Sequence, residues 1–224
     1  MAVQDGARRI AAEVKEIEQG VGVVRIVTGN GIIEAARVVV AAGAWTTPLL
    51  GAPFDRLLTV TRQVLHWFPV DGDLYAPGRF PTLIWMHGDT TEDYFYAFPA
   101  LPGSGLLKAA TEQYGVQTTA DAMERGMRPE EGAALHRTHL AQRLMGVGAG
   151  PVRSSACLYT GTPDSGFIID RHPRMDRVTV ISACSGHGFK HSAGIGEAVA
   201  AEVCGERAAS QLAPFRLDRF GAKT

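Results

Sequence analysis

The fold of this chain is decided by residues 152–203, which read VRSSACLYTGTPDSGFIIDRHPRMDRVTVISACSGHGFKHSAGIGEAVAAEV. Short apolar or β-branched pieces alternate here with turn-forming strings such as TPDSG and RHPRMD, a pattern that predicts strands joined by tight turns. The end of the segment, 185–203, predicts a glycine-bracketed loop that runs into a helix. This order places backbone N–H groups and the positive end of a helix dipole at one point. We therefore expect an anion or a polarised ligand oxygen to bind there.

Upstream, three extended pieces are predicted between residues 11 and 40: AAEVKEIE, VGVVRIV and IIEAARVVV. Asn30-Gly31, between the last two, predicts a tight type I′ hairpin turn. The first piece also matches helical spacing through Ile10, Val14 and Ile17, and strand is the favoured interpretation.

The third piece continues into an apolar run, RVVVAAG (37–43), followed by a predicted helical turn, AWTTPLLG (44–51). A strand buried on both faces and followed by a glycine turn is how a parallel α/β sheet presents its carboxyl edge to a ligand. A core strand and a turn without a ligand is the alternative.

The middle of the chain predicts a second sheet. The strings LLTVTRQVLHWFPV (57–70), TLIWMH (82–87) and YFYAF (94–98) are typical of antiparallel strands. The string EEGAALHRTHLAQRL (130–144) predicts an amphipathic helix that begins after Pro129. Together with the preceding segments, these elements predict an α+β fold with an α/β tendency.

Composition excludes several classes of protein. The 224 residues are 46% hydrophobic and 20% charged, as in a packed globule. The 22 basic and 23 acidic residues leave a net charge of -1, which argues against a nucleic-acid partner. The longest apolar stretch, Val38 to Trp45, is too short to cross a bilayer, and the N-terminal string MAVQDGARRI has no signal-peptide pattern. Three cysteines without CxxC spacing argue against a disulfide framework and for the cytoplasm.

Local chemistry singles out a few residues. Cys184, His187 and His191 have C-x2-H-x3-H spacing, but no further ligand is near in sequence, so no metal site is predicted. Lys190 stands at a helix start, where a cation opposes the helix dipole unless an anion or solvent relieves it. Lys108 lies in an apolar stretch and either extends outward to solvent or is held inward to serve a site.

Five strings carry a family resemblance: VVVAAGAW, TRQVLHWF, YFYAFP followed by GLLK, ACLYTGTPDSGFIIDRHP and SGHGFKHSAGIGE. In this order they resemble the C-terminal part of the monomeric sarcosine oxidase and N-methyl-L-tryptophan oxidase family, which belongs to the D-amino-acid-oxidase-like FAD enzymes. The resemblance covers roughly residues 20 to 215 and is most specific from Cys157 to Gly196.

The resemblance implies roles for individual residues. It implies that Cys157, which alone would be interpreted as an inert core residue, bonds covalently to the 8α-methyl of the flavin. It also implies that Lys108 stands against the flavin and assists the reaction with O2, and that Lys190 helps hold the substrate carboxylate. His187, Tyr159 and Tyr96 match positions that line the same pocket, and the amides of Gly188 to Lys190 would stabilise negative charge on the reduced cofactor. The implied cofactor-binding residues are Cys157, Gly43, Gly186, Gly188, Phe189 and Lys190.

Two departures from the family pattern affect the expectations. Glu112 stands where the sarcosine oxidases have a substrate-site histidine, which puts sarcosine itself in doubt. The family's opening GxGxxG motif does not occur, so an N-terminally truncated product without the Rossmann βαβ unit is expected. The expected domains are a partial FAD-binding layer (1–50 and 150–212), an antiparallel or mixed substrate-side sheet (51–149) and a C-terminal tail (213–224).

The implied function is an FAD-dependent oxidase of N-methyl or secondary amino acids. Hydride would pass from the carbon next to nitrogen to the flavin, water would hydrolyse the imine, and O2 would become hydrogen peroxide. Two alternatives stay open. One is a non-catalytic lobe that self-associates or binds another chain through an exposed sheet edge. The other is a glycine-oxidase-like or dehydrogenase subunit of the same superfamily.

Overall fold

The computed structural model describes residues 2–205 and 209–221, which divide into two compact units. The first comprises residues 1–59 and 160–224, and the second comprises residues 60–159. Both boundaries fall somewhat later than the predicted ones after residues 50 and 149. Residues 213–224 were expected to form a separate tail, but Leu217 is only 2% exposed and packs in the core of the first unit.

The first unit contains two three-stranded sheets. One is antiparallel with the order β1-β2-β3, and the other has the order β10-β11-β4, in which β10 is antiparallel and β4 is parallel to β11. Their strands are β1 Val14–Gln19, β2 Val24–Thr28, β3 Gly31–Ala35, β4 Val38–Val40, β10 Ile168–His172 and β11 Met175–Ser182. The helices of this unit are α1 Thr46–Leu50, α2 Phe54–Leu57, α4 Ser192–Cys204 and α5 Ala209–Leu212.

The predicted hairpin between β2 and β3 is confirmed, but its predicted turn type is wrong. Thr28 pairs with Gly31, so the two turn residues are Gly29 and Asn30, and neither has a positive φ. The positive φ of 122° occurs at Gly31, after the turn. The Thr28 hydroxyl stabilises the turn by accepting from the Asn30 N–H at 3.1 Å and donating to the Gly31 carbonyl at 2.7 Å. These two hydrogen bonds stabilise the turn without the positive φ angles at both central residues that a type I′ turn requires.

The predicted parallel strand is confirmed as β4, whose Val38 and Val40 pair with Val178 and Val180 of β11. Burial on both faces was expected, but Val39 is 41% exposed. The buried face of this sheet packs Val40, Val178 and Val180 against Phe54, which is fully buried. On the other face, Ile169 and Ile181 pack in an apolar cluster with Ala198 and Val199 of α4, so β10 and β11 have apolar contacts on both faces.

The second unit is built on one five-stranded sheet with the order β6-β7-β8-β5-β9. The pairs β6–β7, β7–β8 and β5–β8 are antiparallel. The sequence predicts antiparallel strands for the segments that contain β5, β6 and β7, whereas β8 was not predicted as a strand. β6 is an edge strand on which Ile84 is 70% and Met86 is 62% exposed. The strands are β5 Thr59–Pro69, β6 Leu83–Met86, β7 Tyr94–Phe98, β8 Leu106–Ala110 and β9 Arg153–Gly161.

Side chains alternate between the two faces of this sheet. One face is apolar, because Phe68, Phe95, Leu107 and Ala109 are all fully buried there. The predicted helix covers them as α3 Pro129–Leu135, which continues into a π-helical turn, His136–Leu140. We call this side of the sheet the helix face and the opposite side the lysine face, because the latter carries Lys108. No helix in the described residues is long and apolar enough to cross a membrane.

A buried ion pair joins β5 to α3. The Arg62 side chain is 7% exposed, and its Nη1 donates to Glu131 Oε1 at 2.6 Å. Its other N–H groups donate to the carbonyls of Glu124 and Gly126. Glu131 also accepts from the Arg128 N–H at the start of α3, so one carboxylate serves both the arginine and the helix terminus.

We expect Glu131→Gln to lower the free energy of unfolding by about 2 kcal/mol, because it leaves a buried guanidinium without its counter-charge while retaining an acceptor at the helix start. Glu130→Gln is the control, since that residue is exposed in the same helical turn. Urea denaturation of both variants and the parent measures the difference. Equal stability of the two variants would contradict this role for the ion pair.

Candidate active site

The lysine face of the second unit is organised around Lys108. The register of the sheet sets Lys108 directly opposite Trp67 on β5 and Phe98 on β7. Its ammonium lies 5.6 Å from the centre of the Trp67 ring and 5.0 Å from that of Phe98. Both distances are within the range of a cation–π interaction. Of the two interpretations open from sequence, the structure supports a half-buried lysine whose head group is held between aromatic rings.

Cys157 and Tyr159 lie on the same face as Lys108. On β9, the Arg153 guanidinium stacks 4.5 Å from the centre of Trp67, whereas the Ser154 hydroxyl bonds His66 on the helix face at 2.7 Å. Strand alternation then assigns Cys157 and Tyr159 to the side of Arg153. Tyr96, opposite Ala110 of β8, shares that side and interacts electrostatically with both residues.

Four of the residues singled out from sequence are thus brought together: Lys108, Tyr96, Cys157 and Tyr159. Burial raises the pKa of Tyr96, and the neighbouring Tyr159 and Cys157 raise it further because each disfavours a second negative charge nearby. The Tyr96 phenol is therefore a proton donor at neutral pH. The surface combines a thiol, two phenols and an ammonium on one side of a sheet.

A carboxylate with two phenols adjoins this group. Glu112 Oε2 accepts from the Tyr94 hydroxyl at 2.6 Å and from the Tyr114 hydroxyl at 2.5 Å. Partial burial raises the pKa of both tyrosines, and their hydrogen bonds to Glu112 raise it further. Glu112 also interacts electrostatically with Tyr96, which connects it to the residues around Lys108. We call Glu112, Tyr94 and Tyr114 the carboxylate triad.

Sequence reasoning missed Trp67, Arg153, Tyr94 and Tyr114. A signal for two of them is strand alternation: Tyr94 is two residues from Tyr96, and Trp67 lies in the strand that pairs with the one containing Lys108. The pairing register that sets Trp67 opposite Lys108 is not encoded in either strand alone.

In the first unit, the predicted glycine turns lie at one edge of the β10-β11-β4 sheet. Gly43 follows β4 and the loop Gly186–Lys190 follows β11, and these two strands are parallel. Their carboxyl ends therefore meet at the same edge, which is where ligands bind in open α/β sheets. Gly43, Gly186, Gly188, Phe189, Lys190 and His187 all belong to these two connections.

The loop after β11 is tied to the TPDSG turn that precedes β10. His187 Nε2 donates to the Ser165 carbonyl at 2.9 Å, which fixes the proton on that nitrogen, and the imidazole packs 4.9 Å from the Phe167 ring. Asp164 holds the turn by accepting from Gly166 N–H and from the Arg219 guanidinium at 2.8 Å. The Arg219 hydrogen bond is the main reason that the pKa of Asp164 lies far below its usual range.

Two expectations for this loop change. The Gly188 N–H donates to the Cys184 carbonyl at 2.8 Å, so this amide is not directed at a ligand as expected. Lys190 is exposed, and its ammonium donates to the His187 carbonyl at 2.9 Å. That carbonyl relieves the unfavourable position of the cation without a bound anion. Phe189 is 94% exposed.

No group of three or more metal-ligating side chains is assembled within the described part of the chain. The residues of the lysine face belong to the second unit, and those of the glycine connections belong to the first.

The comparisons with known proteins identify the class as flavin-dependent oxidoreductases. The family model for FAD dependent oxidoreductases, DAO, matches residues 1–202, and the chain belongs to this family. It is 33% identical over 214 residues to a monomeric sarcosine oxidase of Bacillus sp. strain NS-129, which covers 94% of this chain and 54% of that protein. It is 31% identical over 217 residues to an N-methyl-L-tryptophan oxidase of Salmonella dublin, which covers 96% of this chain and 56% of that protein. The resemblance inferred from the five strings is thus confirmed.

Solved structures show the same fold. The open form of NikD, an amino acid oxidase essential for nikkomycin biosynthesis, superposes with a TM-score of 0.66 at 23% identity, over 84% of this chain and 50% of that one. Fructosamine oxidase (Amadoriase II) of Aspergillus fumigatus gives 0.67 at 20% identity, over 92% and 50%. This chain spans about half the length of the relatives it matches.

We expect Gly188→Ala to destabilise the loop after β11, because an added Cβ would lie 1.7 Å from the Ala183 carbonyl oxygen and the backbone must move. The expected loss is about 2 kcal/mol or more. Gly196→Ala in α4 is the matched control, since its Cβ meets nothing within 4 Å and alanine favours the helix. Chemical denaturation should show opposite signs for the two variants. If both variants change the free energy of unfolding by the same small amount, the loop does not require the close approach of Gly188 to the Ala183 carbonyl oxygen.

We expect tyrosine ionisation in the folded protein to be delayed on the alkaline side, because the pKa values of Tyr75, Tyr94, Tyr96 and Tyr114 are all raised, in each case mainly by burial. Since these folded-state pKa values exceed the unfolded ones, the phenols contribute stability that is fully present below about pH 10 and lost as the pH rises further. Ultraviolet absorbance with circular dichroism measures both processes. Ionisation of all five tyrosines near pH 10 in folded protein would contradict the prediction.

Proposed function

We propose that this chain is part of an FAD-dependent oxidase of N-methyl or secondary amino acids. Family membership and 31–34% identity to sarcosine and N-methyltryptophan oxidases support the class of reaction. The observation that carries the proposal is the presence of Cys157, Tyr159, Tyr96 and Lys108 on one sheet face, since the resemblance implies that these residues surround one cofactor. Residues so far apart in the sequence share that face only because the strands pair as they do.

The chemistry of these side chains fits a flavin. A half-buried cysteine can form a thioether, and the surrounding phenols and aromatic rings offer the polar and flat surfaces that such a ring system needs. When bound, FAD takes up a hydride from the carbon next to nitrogen and passes the electrons to O2. In this proposal Cys157 holds the cofactor covalently, and Tyr96 and Tyr159 line the substrate pocket and donate hydrogen bonds there.

Lys108 provides a fixed positive charge. The rings of Trp67 and Phe98 hold its ammonium in place. A positioned cation stabilises negative charge as it develops on reduced oxygen. We therefore assign to Lys108 the role of promoting the reaction with O2, and hydrogen peroxide is the expected product.

The glycine connections of the first unit complete the proposal. We assign the FAD-binding layer to the first unit and the substrate side to the second. Lys190, exposed and at the edge of a sheet, is proposed to hold the substrate carboxylate, and His187 is proposed to line the same pocket with its proton fixed by Ser165. Gly43, Gly186 and Gly188 are proposed to contact the cofactor through backbone atoms other than the Gly188 N–H, which donates to the Cys184 carbonyl, and Phe189 through its exposed ring.

We expect the purified protein that carries this chain to retain flavin colour after denaturation, and Cys157→Ala to lose it, because the thioether would be the covalent link. Intact mass spectrometry and in-gel flavin fluorescence are the measurements. Cys204→Ala is the control, since Cys204 is an exposed thiol at the end of α4. Unchanged covalent flavin in Cys157→Ala would remove the assignment of Cys157. A protein that binds no FAD at all would favour the non-catalytic lobe.

A further inference from the structure

We infer that the carboxylate triad, Glu112 with Tyr94 and Tyr114, selects substrates whose side chain carries a second, cationic group. The inference rests on the proposed function, and it names the substrate class: N-methyl amino acids with a basic side chain. Nothing in the resemblance supplies it, because the sarcosine oxidases have a histidine at the position of Glu112.

The position of the triad supports this role. β7 and β8 pair with Tyr96 opposite Ala110, so Tyr94 and Glu112, each two residues further on, continue the same face. The hydrogen bond from the Tyr94 hydroxyl to Glu112 joins them across the two strands. Lys108 is four residues from Glu112, at most about 14 Å along an extended chain. A bound amino acid with a long side chain could therefore reach from the residues around Lys108 to the triad.

Both hydrogen bonds of the triad end on one oxygen of the carboxylate. The Tyr94 and Tyr114 hydroxyls donate to Oε2, so neither of them occupies Oε1. A carboxylate accepts hydrogen bonds but donates none. The remaining oxygen is suited to an N–H donor with a positive charge. Tyr114 is 54% exposed, so a ligand can approach the triad from solvent.

The rings around the carboxylate suit an alkylammonium. Four of the five tyrosines of the chain lie in this region, because Tyr114 interacts electrostatically with Tyr159 and Tyr159 with Tyr96. Aromatic faces attract a cation, and they also pack against the methylene groups that carry it. A neutral apolar side chain gains only the second of these contributions.

The cation in question is a second group and not the amine that is oxidised. Loss of hydride from the carbon next to nitrogen requires the lone pair of that nitrogen to form the C=N bond. A carboxylate paired with the reacting amine would stabilise its protonated form, which has no lone pair to give. Glu112 therefore assists the reaction only when its partner is elsewhere on the substrate.

The test compares Nα-methyl-L-lysine with Nα-methyl-L-norleucine, which has a similar side chain without the ammonium. Binding to the FAD-loaded protein is measured by calorimetry without oxygen, and oxidation is measured as peroxide release. We expect the lysine analogue to bind about tenfold or more tightly than the norleucine analogue in the parent protein. Glu112→Gln should remove this preference while changing the norleucine analogue less than about twofold. Tyr114→Phe, which retains the charge and removes one donor, should reduce the preference partially.

Glu92→Gln is the matched control, because it removes one negative charge from an exposed position in the same unit. Thermal unfolding of Glu112→Gln verifies that the fold is retained. Equal binding of the two analogues by the parent protein overturns the inference, and so does a preference that persists in Glu112→Gln. A neutral polyol amine such as fructosyl glycine that binds more tightly than the lysine analogue overturns it as well.

The inference and the proposed function can fail separately. Peroxide released equally from both analogues contradicts the selection by Glu112 and leaves the oxidase proposal intact. Binding that prefers the lysine analogue and depends on Glu112, without any turnover of either compound, supports the triad as a cation site and contradicts the proposed oxidase.

Discussion

The arrangement of the second unit depends on the pairing register of β8 between β5 and β7. In this register Leu107 and Ala109 face α3, and Lys108 faces the opposite side between Trp67 and Phe98. Side chains on a strand alternate with a period of two, so a shift of one residue would exchange the two faces. The lysine would then lie in the apolar core, and Leu107 would be exposed. Every functional assignment on the lysine face therefore depends on this register.

The core supplies the free energy that maintains the register. Phe68, Phe95, Leu107 and Leu140 are fully buried on the helix face, and burial of each large apolar side chain stabilises the fold by about 2 kcal/mol. A slip would sacrifice several of these contributions and also bury an ammonium, which is costly without a partner. The polar residues of the lysine face contribute little to this choice. The apolar side chains of the helix face fix the positions of these polar residues from the other side of the sheet. The residues that stabilise the sheet and the residues with reactive groups therefore lie on opposite faces.

The sequence predicted most of the strands because their local patterns are strong. The β-branched runs of β5 and β11 and the apolar alternation around Tyr94–Phe98 are evident without any long-range information. It predicted the turn between β2 and β3 incorrectly, because the Thr28 hydroxyl competes with the backbone geometry that Asn-Gly usually adopts. The sequence also led us to expect that the Gly188 amide binds a ligand, whereas the Gly188 N–H donates a hydrogen bond to the Cys184 carbonyl. Both differences are local hydrogen bonds that composition and spacing do not specify.

The carboxylate triad could not be predicted from the sequence either, because it depends on long-range strand pairing. Tyr94 and Glu112 are eighteen residues apart and meet only after β7 and β8 have paired. Once they meet, the lysine face carries a cation at Lys108 and an anion at Glu112, separated by no more than about 14 Å of chain. Such a pair of fixed, opposite charges orients a dipolar ligand in one direction only, because reversal places like charges together. A zwitterionic ligand would therefore experience an orienting field along this face in addition to the individual hydrogen bonds.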